Sequence, residues 1–180
     1  MQKLSVTTEY AEVYEHRIFA LADEYMETVL QNDDSKISDT FMGMIYYIRD
    51  GIPEIPNDDI QLMDSVFDIF CKLCARLGTV PTLQTFAILV RTNRATFTDW
   101  SNREYRKDDA RYEQAVKRWK SVCKAFLVNK LANCDKTSVN LIFLAKSCYG
   151  MVEAGTPITQ TIPEKPILSA DQLPDLSKGV

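Results

Sequence analysis

The stretch Pro81–Arg103, PTLQTFAILVRTNRATFTDWSNR, constrains the fold more tightly than any other part of the chain. Leu83, Phe86, Ala87 and Val90 fall at i, i+3, i+4 and i+7, the apolar stripe of a helix that Pro81 and Thr82 can start. Arg91, Thr92 and Asn93 interrupt the run, and Phe97 and Trp100 resume it at i, i+3. A second helix from about Arg94 therefore folds its apolar side back onto the first, the spacing of a helix-turn-helix. Phe86, Val90, Phe97 and Trp100 are the expected inward set, and Ala87 is the small residue that lets the helices approach. Asn93, Arg94, Thr96, Thr98, Asn102 and Arg103 are left on or near the outer side, where such groups can donate to phosphate oxygens or base edges. The turn has no glycine, and Asp99 would neighbour a phosphate unfavourably. An ordinary helical hairpin with a solvated polar side fits the same spacing.

The rest of the chain has helical periodicity too. With 6 glycines in 180 residues and few strand-like runs, the fold class expected is mainly α. A first helix, about Thr7 to Gln31, carries the stripe Tyr14, Ile18, Leu21, Tyr25 and Val29 against an acidic remainder. A second, ISDTFMGMIYYIRDG, closes at Gly51 and buries Phe41, Met44, Ile45 and Ile48. A third starts near Asp58, with Gln61 able to complete a capping arrangement, and runs to Gly78. Another long one, about Asp109 to Asn133, sets Tyr112, Ala115, Val116, Trp119, Val122, Cys123 and Phe126 on one face. Lys117, Lys120 and Lys124 line up at i, i+3 and i+7 on another, either tracking a phosphate backbone or merely solvated.

The last helix, SVNLIFLAKSCYG, is apolar almost all round through LIFLA and joins the previous one by a short loop, so the two make an antiparallel hairpin. One neighbour cannot bury that many directions, so either the N-terminal helices or other copies of the chain must cover it. After Met151 four of the 7 prolines occur and no aromatic residue, which predicts an extended, disordered tail. The implied regions are 1–57 (acidic helices), 58–107 (helix-turn-helix), 108–150 (oligomerisation hairpin) and 151–180 (flexible tail).

Charge is distributed unevenly. Residues 1–80 hold six Lys/Arg against fifteen Asp/Glu, while residues 91–130 hold eleven against five, so the net charge of -4 conceals a basic middle suited to nucleic acid. The odd count of 5 cysteines shows no disulfide spacing. With no signal-peptide pattern and no long apolar run, the expectation is a soluble intracellular chain with reduced thiols and no membrane partner. CKLC, at Cys71 and Cys74, sits inside an amphipathic helix and faces the core, and His16 is the lone histidine, so neither a metal site nor a general base is expected. No glycine-rich phosphate loop is present, and no catalytic residue or cofactor is assigned.

Taken in order, the lead helix, PTLQTFAILVRTNRATFTDW, YEQAVKRW and NLIFLAKSCYG make residues 58–150 resemble the terminase small subunit, the DNA-packaging protein of tailed double-stranded DNA phages. The last phrase is similar to the family's apolar segment followed by a Leu/Lys/aromatic-Gly ending, the ending carried here by Leu144, Lys146, Tyr149 and Gly150. The resemblance implies a non-enzymatic subunit, without a cofactor, in the cytoplasm of an infected bacterial host. It would form a ring, bind the packaging-initiation site on viral double-stranded DNA, and recruit the large ATPase/nuclease subunit. On that model Arg91, Asn93, Arg94, Thr96 and Thr98 contact DNA, with Lys117, Lys120 and Lys124 on phosphates. Trp119, Phe126, Leu141, Ile142, Phe143 and Leu144 then serve oligomerisation, and the tail reaches the large subunit. Two other functions stay open on the residues alone: a dimeric helix-turn-helix transcription regulator, and a helical protein-only adaptor.

Overall fold

Phe86 lies where four helices meet. The structure, a computed structural model, describes residues 2–31, 37–133 and 139–150, and among these it has seven helices and no strand. They are α1 (Gln2–Thr28), α2 (Ile37–Gly51), α3 (Ile60–Arg76), α4 (Leu83–Leu89), α5 (Arg94–Ser101), α6 (Ala110–Ala132) and α7 (Val139–Tyr149). The Phe86 ring on α4 is 5.0 Å from Phe67 and 5.7 Å from Phe70 on α3, 5.8 Å from Phe97 on α5 and 5.2 Å from Trp119 on α6. Trp119 in turn stacks on Phe67 at 5.3 Å and meets Phe97 edge-on at 5.2 Å. Offset and edge-on rings attract one another beyond what their buried area alone contributes.

Around this junction α1 packs on α2 and α3, α2 on α4, α3 on α6, and α6 on α7. The α1 stripe of Tyr14, Ile18, Leu21 and Tyr25 is buried, as are Phe41, Met44, Ile45 and Ile48 on α2. Val29 departs from the expected stripe. Val29 N still bonds Tyr25 O as in a helix, but Leu30 N turns to the same carbonyl, so Leu30 fills the core position at 1% and Val29 is left 51% exposed. Helix α1 starts at Gln2 rather than near Thr7, since no glycine or proline precedes Thr7 to hold it back.

Helix α3 is capped one residue later than the sequence suggests. Asp59, not Asp58, accepts from Leu62 N at 3.0 Å, and the carbonyl of Asp58 instead accepts the Tyr112 hydroxyl at 3.0 Å. At its other end Gly78 adopts φ +63°, with Thr79 N bonded to Cys74 O, the left-handed close that glycine favours. Cys71, Cys74 and Cys123 are buried as free thiols. Burial pushes the Cys71 thiol up, and that of Cys74 up to about 12, so both stay protonated and unreactive at neutral pH.

The charged side chains lie outside this core. Lys72 pairs with Glu15 and Arg76 with Asp23, joining α3 to α1 through half-exposed pairs of small energetic weight. A denser network joins α3 to α6. Asp64 accepts from Trp119 Nε1 at 2.7 Å and from Arg118 Nη2 at 2.6 Å, and Arg118 also reaches Asp68 at 2.9 Å. The indole N–H at the edge of the aromatic junction is thereby satisfied. None of the described helices is long and apolar enough to cross a membrane. The expectations for 151–180 fall outside the described residues.

Truncating Phe86 to alanine takes away the ring that four others pack against. Urea denaturation should show a loss of about 3–5 kcal/mol; a loss below about 1 kcal/mol would mean that the junction collapses readily around the gap.

Candidate nucleic-acid interface

Each terminus of the two short helices is fixed locally. Thr82 caps α4 by accepting from Thr85 N at 3.1 Å. Asn93 caps α5 by accepting from Thr96 N at 2.9 Å and from the Thr96 hydroxyl at 3.2 Å. Helix α4 closes without the glycine that such a close usually has. Arg91 takes φ +54°, with Arg91 N on Ile88 O and Thr92 N on Ala87 O. Helix α5 ends the same way on Arg103, at φ +60°, with Glu104 N on Asp99 O.

Both arginines use the conformation to aim a guanidinium. Arg91 donates through Nη2 to the carbonyls of Arg49 and Ile52 at the C-terminal end of α2. Cationic donors suit those unsatisfied carbonyls. Arg103 pairs with Glu113 at 3.3 Å and donates to Lys107 O. Expected DNA contacts at Arg91, Asn93 and Thr96 are thus engaged within the chain, Arg91 in holding the turn against α2 and the other two in a helix cap.

Arg94, Thr98, Lys120 and Lys124 come together instead. They line a groove of about 720 Å³ with Thr82, Leu83, Gln84, Phe97, Ser121 and Leu144, drawing its walls from α4, α5, α6 and α7. No carboxylate lines it among the described residues. Lys120 donates to the Ser101 hydroxyl at 3.0 Å, and the Thr98 hydroxyl donates to Arg94 O at 3.2 Å. The side chains of Arg94 and Lys124 make no hydrogen bond or ion pair among the described residues. Lys117 drops out of the lysine stripe, because it pairs with Glu113 one turn back at 2.5 Å and holds that carboxyl below its ordinary value. What remains is a three-cation rim over an apolar floor.

The residues expected at subunit contacts separate as well. Trp119 is a core residue, 0% exposed and bonded to Asp64, so it has no surface to offer a neighbouring chain. That expectation is corrected by the aromatic junction, which claims the whole ring. Phe126 is partly buried against the core. On α7, Leu141, Ile142 and Leu144 are half-buried, Ala145 is buried, and Phe143 and Val139 stand 72% and 75% exposed.

Sequence reasoning missed Thr82, Leu83, Gln84 and Ser121 as groove residues. Ser121 lies between Lys120 and Lys124 in sequence and is a signal of sorts; the start of α4 reaches the groove only through the tertiary crossing. Among the described residues no group of three or more His, Cys, Asp or Glu side chains could hold a metal. No family model, curated protein or solved structure matches the chain.

Arg91 and Arg94 should therefore behave differently when changed to alanine. R91A removes the two bonds to the α2 carbonyls and should lower unfolding free energy by about 1–2 kcal/mol, whereas exposed, unpaired Arg94 should give a change within about 0.5 kcal/mol. R91G should recover about 1 kcal/mol relative to R91A, since glycine accepts the left-handed backbone. Thermal and urea denaturation of the three variants reads this directly, and equal stabilities for R91A and R94A would remove the anchoring role.

Proposed function

We propose that this chain is a non-catalytic DNA-binding assembly subunit of the terminase small-subunit kind. The observation that carries the reading is the groove itself: Arg94, Lys120 and Lys124 converge from two helices, with no carboxylate among the described lining residues to neutralise them. Uncompensated cations held on fixed helices are what a phosphate backbone requires. On this reading α4 and α5 are the helix-turn-helix. Arg94 and Thr98 on α5 meet the duplex, and Lys120 and Lys124 on α6 take flanking phosphates.

Three cations give one copy only a modest hold on DNA, so the reading includes a ring of copies that multiplies it. Helices α6 and α7 form the oligomerisation hairpin, and Phe143 and Val139, exposed in the single chain, are the side chains that neighbouring copies cover. Leu141 and Ile142 extend that surface, while Leu144 faces the groove. The packaging-initiation site on viral DNA is then the ligand, and the large ATPase/nuclease subunit is the protein partner.

Fluorescence anisotropy with duplex DNA, repeated across salt concentrations, tests the groove. Log affinity should fall linearly with log salt, and replacing Arg94, Lys120 and Lys124 one at a time by alanine should flatten the slope by about 0.9 for each phosphate no longer neutralised. An unchanged slope in all three variants would exclude the groove. For assembly, light scattering after size exclusion should give a particle well above a tetramer, and Phe143→Glu should reduce its mass. A persistent dimer would favour a helix-turn-helix regulator reading two half-sites instead.

A further inference from the structure

The cationic rim suits DNA, but DNA has no use for the floor of the groove. Beneath Arg94, Lys120 and Lys124 lie Leu83, Phe97 and Leu144, the two leucines half-buried and so still accessible from the groove. A phosphodiester backbone presents charge and sugar, and the aliphatic groups a duplex does offer, the thymine methyls, lie at base edges rather than along the backbone that the cations would hold. The groove's volume, about 720 Å³, falls within the range of about 300–1,000 Å³ typical of ligand clefts.

We propose that this groove is also the docking site of an acidic, leucine-bearing segment of a partner protein, and that such a segment and DNA exclude one another. The charge argument is complementarity: three cations and no carboxylate on the described lining favour an anionic occupant. The apolar argument is the floor, which gains only from an occupant that carries aliphatic side chains between its charges. An amphipathic acidic segment laid into the groove satisfies both at once, its carboxylates on the lysines and arginine and its leucines on Leu83 and Leu144. The exclusion clause rests on the DNA reading given above; the docking clause does not.

Two peptides of equal charge separate the arguments on the unaltered full chain: acetylated EELLEELLEE and its analogue EESSEESSEE. Isothermal titration should show the leucine peptide binding about tenfold or more tightly than the serine peptide. Leu144→Ser should bring the leucine peptide toward the serine value, and Lys124→Ala should weaken both peptides. In the anisotropy assay the leucine peptide should displace labelled duplex DNA. Equal affinities for the two peptides, no binding of either, or leucine-peptide binding indifferent to both Leu144→Ser and Lys124→Ala would each overturn the docking site. Binding of the leucine peptide without DNA displacement would overturn the exclusion. If duplex DNA fails to bind while the leucine preference and its dependence on Lys124 persist, the docking site stands and the DNA reading falls.

Discussion

The packing of Phe86 on Trp119, 5.2 Å apart at the meeting of α3, α4, α5 and α6, is the constraint on which the rest of the structure depends. Helices of seven and eight residues such as α4 and α5 have too few internal hydrogen bonds to persist in water alone. Their geometry comes from the rings they insert between longer helices. Because α4 and α5 are fixed through Phe86 and Phe97, both fully buried, the polar residues on their outer side are fixed with them.

The groove follows from this arrangement. Phe97 belongs to the junction and also to the groove lining, so the cations above it stand on the aromatic junction. The Asp64–Arg118 and Asp64–Trp119 bonds orient the face of α6 from which Lys120 and Lys124 project. Removal of Lys117 from the cationic set by Glu113 narrows the rim to side chains that converge rather than run along one helix.

Much of the architecture was legible in the sequence because helical periodicity reports burial directly. Phe86, Val90, Phe97 and Trp100 were readable as inward from their spacing alone, and the bounds of α2 and the start of α4 at Thr82 follow from local composition. The site was less legible. Arg91 and Arg94 look alike in sequence, yet one binds the carbonyls ending α2 and the other stands free, a distinction made by a partner 42 residues away in the chain. Trp119 shows the complementary limit: an apolar face can be read from spacing, but whether its partner is the same chain or another copy cannot. The turn after α4 was hard for the same reason, since the left-handed arginine that replaces glycine is held by tertiary bonds of its side chain.

The aromatic junction also determines what light can report about this protein. Trp100 and Trp119 are the only 2 tryptophans in the sequence, and both sit in the junction at 1% and 0% exposure. Intrinsic tryptophan emission is therefore a gauge of one place, the packing of α5 and α6 against α3 and α4. Loosening there exposes the indoles to water and shifts the emission to the red. Helix α1 contributes no indole, nor does α7, so either can rearrange with little optical trace. A spectroscopic transition in this chain is a statement about the junction, and agreement with a backbone probe such as circular dichroism is what extends it to the whole.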